Sequence, residues 1–135
     1  MILSAACPPG LVVLAGVGIN ITKFQHRVPD VAVVSADSFG TAFQEAPPSL
    51  AVEVASPRTR LYDQTRKKDI YEGFGIPAYW IVVPDRDAPA LTAFELRDGR
   101  YHLTAQVHGE ERFTARLPFP VSFTPARLIT AGPLT

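Results

Sequence analysis

The run Leu-Ala-Val-Glu-Val-Ala at positions 50–55 decides how this chain folds. Its apolar residues are continuous rather than alternating, which predicts a strand that is buried on both faces of a sheet. Alternation places Glu53 on the same face as Ala51 and Ala55. A buried ionised carboxylate is unfavourable unless it is paired or binds a metal, so Glu53 is the first candidate site residue. The alternative is an edge strand that turns Glu53 towards water, or a pair with one arginine.

The segments around this run predict further strands and one principal helix. Apolar runs at 11–15 and 31–34 predict two strands. Residues 60–73 lack an internal Pro or Gly and predict a helix, which Gly73 and Gly75 would end. Later strands are expected at 79–83, 91–96, 101–107 and 112–117, with a hairpin turn at Asp98-Gly99 and an edge strand or packed tail at 119–128. This order predicts an α/β or α+β fold, a sheet with one principal helix.

The composition excludes several classes of protein. Thirteen Lys and Arg balance 13 Asp and Glu, which argues against a polycationic nucleic-acid coat or a basic membrane anchor. The 47% hydrophobic fraction predicts a folded chain, and 135 residues suit one domain. No run approaches the roughly 20 apolar residues of a membrane span. Cys7 is the only cysteine, which excludes an internal disulfide and favours a reducing, cytoplasmic location.

A second acid precedes the strand predicted at 31–34. Asp30 follows Pro29 at the start of that strand. Two acids at the ends of neighbouring strands can converge on one divalent cation, and Mg²⁺ often uses only one or two carboxylates together with waters and phosphate. The alternative is that Asp30 only caps a turn, as Pro-Asp often does.

The predicted helix carries a third group of candidates. Asp63, Lys67 and Tyr71 are four residues apart and therefore lie on one helix face. Their spacing alone favours an exposed Asp–Lys pair, and the functional alternative is a lysine held over the sheet end, where it could bind phosphate. Five cations lie between positions 58 and 68 against one anion, which indicates either a phosphate-bearing substrate or an ordinary solvated helix face: Arg58, Arg60, Arg66, Lys67 and Lys68.

Three segments together resemble the Uma ("Uma two") family of putative restriction endonucleases, within the PD-(D/E)XK nuclease superfamily. They are positions 29–34 (PDVAVV), 52–60 (VEVASPRTR) and 63–82 (DQTRKKDIYEGFGIPAYWIV). The resemblance runs from about residue 28 to residue 117. It implies a restriction-endonuclease-like mixed sheet with one principal helix and a C-terminal antiparallel β extension.

The same resemblance implies a site and a reaction. Asp30 and Glu53 match the two acids, which would hold Mg²⁺ or Mn²⁺. The superfamily's usual lysine position, two residues after the second acid, is Ala55 here, and Lys67 matches a lysine on the helix that substitutes for it. Arg60, Asp63 and Tyr71 match supporting or substrate-binding positions. The implied activity is metal-dependent hydrolysis of phosphodiester bonds in DNA.

One departure from the family pattern bears on activity. Members usually carry an N-terminal section with a Tyr-Glu-Leu-x-x-Gly segment whose Glu belongs to the site, and this sequence has no such segment. We therefore expect residues 1–135 to form a single nuclease-like domain that lacks this section. A catalytically degenerate protein that binds nucleic acid or a protein partner, as a possible homodimer, is the alternative hypothesis. A small β-rich interaction module without a nucleic-acid role is the third.

Overall fold

The computed structural model describes residues 2–15, 19–22, 25–27, 29–38, 47–55 and 62–130. Its helices are α1 (Ile2–Ala6), α2 (Tyr62–Phe74) and α3 (Arg127–Thr130), with a 3-10 turn at Ala36–Ser38. Its strands are β1 (Leu11–Ala15), β2 (Ile19–Thr22), β3 (Gln25–Arg27), β4 (Val31–Ser35), β5 (Leu50–Val54), β6 (Ala78–Val83), β7 (Ala90–Arg97), β8 (Arg100–His108), β9 (Phe113–Ala115) and β10 (Val121–Phe123). None of these helices is long and apolar enough to cross a bilayer.

Six strands form the main sheet in the order β1-β4-β5-β6-β7-β8. Only β5 and β6 run parallel, and every other neighbouring pair in this sheet is antiparallel. A parallel pair needs a crossover between its strands, and α2 lies in that connection. Two short antiparallel pairs, β2–β3 and β9–β10, stand apart from the main sheet. The predicted α+β class, with a mixed sheet, one principal helix and a C-terminal antiparallel β extension, is confirmed.

Both faces of the central strands are buried, as the continuous apolar runs predicted. On one face Trp80 packs edge-to-face against Phe113 of the β9–β10 pair, with ring centres 5.0 Å apart. On the other face Tyr71 of α2 packs over Ala51 and Tyr79. The two aromatic residues of β6, Tyr79 and Trp80, are both core residues.

The end of α2 fixes where the helix meets the sheet. Gly75 has a φ of 86°, and the Ile76 amide donates a hydrogen bond to the Tyr71 carbonyl over 3.2 Å. This is the left-handed glycine ending that the sequence predicts at Gly75. The other predicted stop, Gly73, is wrong, because α2 continues through Gly73 to Phe74. A single glycine inside a helix lowers its stability without ending it.

The sequence patterns did not predict the helices α1 and α3 or the β2–β3 pair. The predicted turn at Asp98-Gly99 is confirmed, with φ values of 51° and 76° in the β7–β8 hairpin. The strand expected at 112–117 is shorter, at Phe113–Ala115. The tail expected at 119–128 divides into β10, which pairs with β9, and the start of α3.

Candidate active site

Glu53 lies near the end of β5 and is only 4% exposed. Its carboxylate faces α2, because alternation along β5 places it on the same face as Ala51. The Lys67 ammonium lies 3.2 Å from Oε2, and the Tyr71 hydroxyl donates a hydrogen bond to Oε1 over 2.7 Å. The buried acid is therefore satisfied by one cation and one hydroxyl, both from the helix above the sheet.

The position of α2 explains why Lys67 and Tyr71 reach the same carboxylate. They are four residues apart and so lie one above the other on one helix face. Tyr71 is fully buried, whereas the Lys67 side chain is 38% exposed. Lys67 therefore lies over the end of the sheet, beside Glu53. Lys68 is one position out of register and lies instead 4.5 Å from the centre of the Phe94 ring.

Asp30 lies immediately before β4, across from the end of β5. The register pairs Val31 with Val52, so Asp30 and Glu53 come next on the two strands. The Val54 amide donates a hydrogen bond to Oδ2 of Asp30 over 2.7 Å. This hydrogen bond connects Asp30 to the end of β5. No pattern in the sequence indicates this backbone partner.

The two acids lie close enough to influence each other electrostatically. Burial raises the pKa of the Glu53 carboxyl above its usual range. The hydrogen bond from Tyr71 and the positive charge of Lys67 oppose that rise, and the negative charge of Asp30 adds to it. A cation placed between the two carboxylates would relieve this repulsion.

Tyr79 lies beside Tyr71 beneath this site. Its ring meets Tyr71 edge-on, with centres 5.4 Å apart, and lies 5.8 Å from the ring of Tyr101. Within the described part of the chain, the buried Tyr79 hydroxyl has no hydrogen-bond partner, whereas the Tyr101 hydroxyl donates to the Ile76 carbonyl over 2.8 Å. Burial raises the pKa of Tyr79, and the negative charge of Glu53 raises it further. The sequence pattern did not identify Tyr79 as a neighbour of the site.

The remaining sequence candidates cannot be placed as fully. Arg58 and Arg60 lie outside the described residues, and so does the side chain of Asp63, whose backbone belongs to the first turn of α2. Arg66 is exposed on α2. The structure thus brings together Asp30, Glu53, Lys67 and Tyr71.

The donor set is compatible with one hard cation. Two carboxylates at adjacent strand ends supply the oxygen ligands that Mg²⁺ and Mn²⁺ prefer, and such ions commonly complete their coordination with waters and substrate phosphate. Among the described residues, no group of three or more His, Cys, Asp or Glu side chains could hold a metal ion. Among the described residues at this site, Asp30 and Glu53 are the two acids that could hold a metal.

Comparisons with known proteins agree with this architecture. The model of the Uma2 family, described as "Putative restriction endonuclease", matches residues 2–131. The chain is also similar to the crystal structure of a putative nuclease belonging to DUF820 from Anabaena variabilis. The TM-score is 0.66 at 15% identity, over 96% of this chain and 74% of that one, which shows a shared fold. No curated protein matches the chain. The chain belongs to the Uma2 family of putative restriction endonucleases and has a nuclease-like fold.

Proposed function

We propose that this chain is a metal-dependent endonuclease that hydrolyses phosphodiester bonds in DNA. The observation that carries the proposal is the buried Glu53, held between Lys67 and Tyr71 and placed across the strand ends from Asp30. Buried acids with perturbed pKa values, set against a specific cation, are typical of catalytic sites. Family membership supports the nuclease assignment, and the residue roles are our own proposal.

Each residue has a distinct role in the proposed site. Asp30 and Glu53 hold Mg²⁺ or Mn²⁺, which when bound supplies Lewis-acid polarisation of the phosphate and a lowered pKa for water. Lys67 stabilises the negative charge that develops on the phosphate. Tyr71 fixes the orientation of the Glu53 carboxylate through its buried hydrogen bond. Arg60 and Asp63 support the site or bind substrate, as the family pattern implies.

The proposed substrate is DNA, and the charges near the site suit it. The exposed Arg66 and the half-exposed Lys67 lie on α2, in the chain region that also carries Arg58 and Arg60 in the sequence. Local positive charge attracts a polyphosphate backbone even when the whole chain is neutral.

We propose that residues 1–135 act as one nuclease-like domain in the cytoplasm.

A metal titration by calorimetry tests the site. We expect wild type to bind Mg²⁺ or Mn²⁺, and Asp30→Ala and Glu53→Ala to lose most of the heat. Glu110→Ala removes an exposed carboxylate elsewhere and is the matched control, with binding expected to be unchanged. Equal heats from wild type and both site variants would exclude the proposed metal site.

A second candidate is a nuclease-fold protein that binds nucleic acid or a protein without cutting, as a homodimer. The observation that favours it is that both Glu53 oxygens already contact protein donors, with only two acids at the site among the described residues. Fluorescence anisotropy with labelled DNA, beside a cleavage assay and sedimentation, separates the two. Binding by a dimer without cleavage in Mg²⁺ or Mn²⁺ would favour this second function.

A further inference from the structure

The two oxygens of Glu53 lie in different surroundings. Oε1 accepts a hydrogen bond from Tyr71, whose side chain is completely buried. Oε2 faces the Lys67 ammonium at 3.2 Å, on a side chain that is 38% exposed. Tyr71 is held by the packing of the core, whereas the Lys67 side chain can turn towards solvent once another cation neutralises the carboxylate. Only Oε2 therefore has a partner that can leave.

We propose that Lys67 and the divalent cation occupy Oε2 in turn, so that metal binding displaces the lysine from Glu53. This inference rests on the proposed metal site. A divalent cation on Oε2 would lie near the ammonium, and two positive groups a few ångströms apart repel each other strongly when partly removed from water. The carboxylate holds one of them at a time.

The exchange would serve both states of the site. Before the metal arrives, Lys67 neutralises a carboxylate that burial would otherwise make unfavourable. After it arrives, the freed ammonium lies at the open side of the site, where it can meet a phosphate oxygen. Lysine suits this exchange because it is a compact charge on a flexible stem. Linkage then requires that anything drawing Lys67 away from Glu53 raises the affinity for the metal.

If Lys67 competes with the metal, removing its charge should raise the affinity for the metal. If Lys67 instead helped to hold the metal, the same change would lower that affinity. Lys67→Gln removes the charge but keeps an amide that can still donate to Oε2, which favours folding. Lys68→Gln is the matched control, because it removes the same charge one residue away, where the ammonium lies over Phe94. Any general effect of net charge on metal affinity is shared by the two variants.

The test is Mn²⁺ binding by calorimetry at mildly alkaline pH for wild type, Lys67→Gln and Lys68→Gln. We expect Lys67→Gln to bind roughly tenfold more tightly than Lys68→Gln, within the usual range for coupled sites. Mn²⁺ binding that is detected for Lys67→Gln but not for wild type or Lys68→Gln would also support the exchange. Equal affinities, or weaker binding by Lys67→Gln, would overturn it and leave the metal site itself intact. Binding by none of the proteins would overturn both proposals.

A second variant guards against misfolding. Lys67→Arg keeps the positive charge, and we expect its Mn²⁺ affinity to remain within a few-fold of wild type. A near-unchanged Lys67→Arg together with a tighter Lys67→Gln shows that the charge competes with the metal. If Lys67→Arg gains as much affinity as Lys67→Gln, the competition between charges is refuted.

Discussion

At the scale of single residues, Glu53 makes the stability of the protein depend on pH. Its pKa is raised above the usual value of 4.5, chiefly by burial. The folded state therefore holds the proton to a higher pH than the unfolded state. The contribution of Glu53 to the free energy of unfolding is complete below the pKa of the unfolded state. It is lost as pH rises through the pKa of the folded state.

We therefore predict that the free energy of unfolding of wild type falls relative to Glu53→Gln as pH rises above 4.5. Above the folded pKa the difference between the two proteins should become constant. Urea unfolding at a series of pH values measures it. A difference that grows in favour of wild type across this range would show that Lys67 and Tyr71 outweigh burial.

The two tyrosines beneath the site predict opposite effects when their hydroxyls are removed. Tyr101→Phe leaves the buried Ile76 carbonyl without its donor, so we expect it to lower the free energy of unfolding by about 1–3 kcal/mol. Tyr79→Phe removes a buried hydroxyl that has no partner among the described residues, so we expect no loss of stability or a small gain.

Denaturant unfolding of both variants against wild type measures this contrast. Equal losses from Tyr79→Phe and Tyr101→Phe would mean that the Tyr79 hydroxyl is hydrogen-bonded in solution.

The sequence could predict Glu53 as a site residue because a carboxylate interrupts an otherwise apolar run. It could also place Lys67 and Tyr71 together, since helix spacing fixes which side chains share a face. It could not predict that the Val54 amide holds Asp30, because that bond depends on the pairing of β4 with β5. Nor could it distinguish Tyr79 from Tyr101, whose hydroxyls differ only in their surroundings.

At the scale of elements, α2 positions Lys67 and Tyr71 at the site, and Gly75 determines where α2 ends. Gly75 has a φ of 86°, a backbone conformation that residues with a side chain rarely adopt. The helix ends there, and the chain then enters β6. Gly73 lies two residues earlier inside the helix, with nothing within 4 Å of a Cβ placed there. These two glycines therefore have different structural roles.

We predict that Gly75→Ala lowers the free energy of unfolding by about 1 kcal/mol, because alanine is strained at positive φ. Gly73→Ala should raise it by up to about 1 kcal/mol, because alanine favours helix. Thermal unfolding of the two variants provides the comparison. A stabilising Gly75→Ala would contradict the observed ending of α2.

Strong local patterns predicted most elements, and short segments without them were missed. The strands β4, β5 and β6 were predicted because each is mostly apolar, and in β5 only Glu53 interrupts the apolar residues. The five residues of α1 and the short β2–β3 pair were not predicted, because segments this short show no clear periodicity. The parallel pairing of β5 and β6 follows from the crossover through α2.

At the scale of the whole molecule, the topology assembles the site from distant parts of the sequence. Asp30 comes from the strand that runs antiparallel to β5, and Lys67 and Tyr71 come from the crossover helix between β5 and β6. All of these contacts meet at one end of β5. A chain with no net charge can therefore combine two acids and a lysine in one local site.

Nicking of supercoiled plasmid DNA tests the proposed nuclease most directly. We predict that wild type converts the plasmid to nicked circles in Mg²⁺ or Mn²⁺, and that chelation stops the reaction. Lys67→Ala should slow nicking about 100-fold or more, as expected for loss of a group that stabilises developing charge. Glu53→Gln should abolish it, and Glu110→Ala should cut as wild type does. Wild type that leaves the plasmid intact in both metals, or Glu53→Gln that nicks at the wild-type rate, would contradict the proposed function.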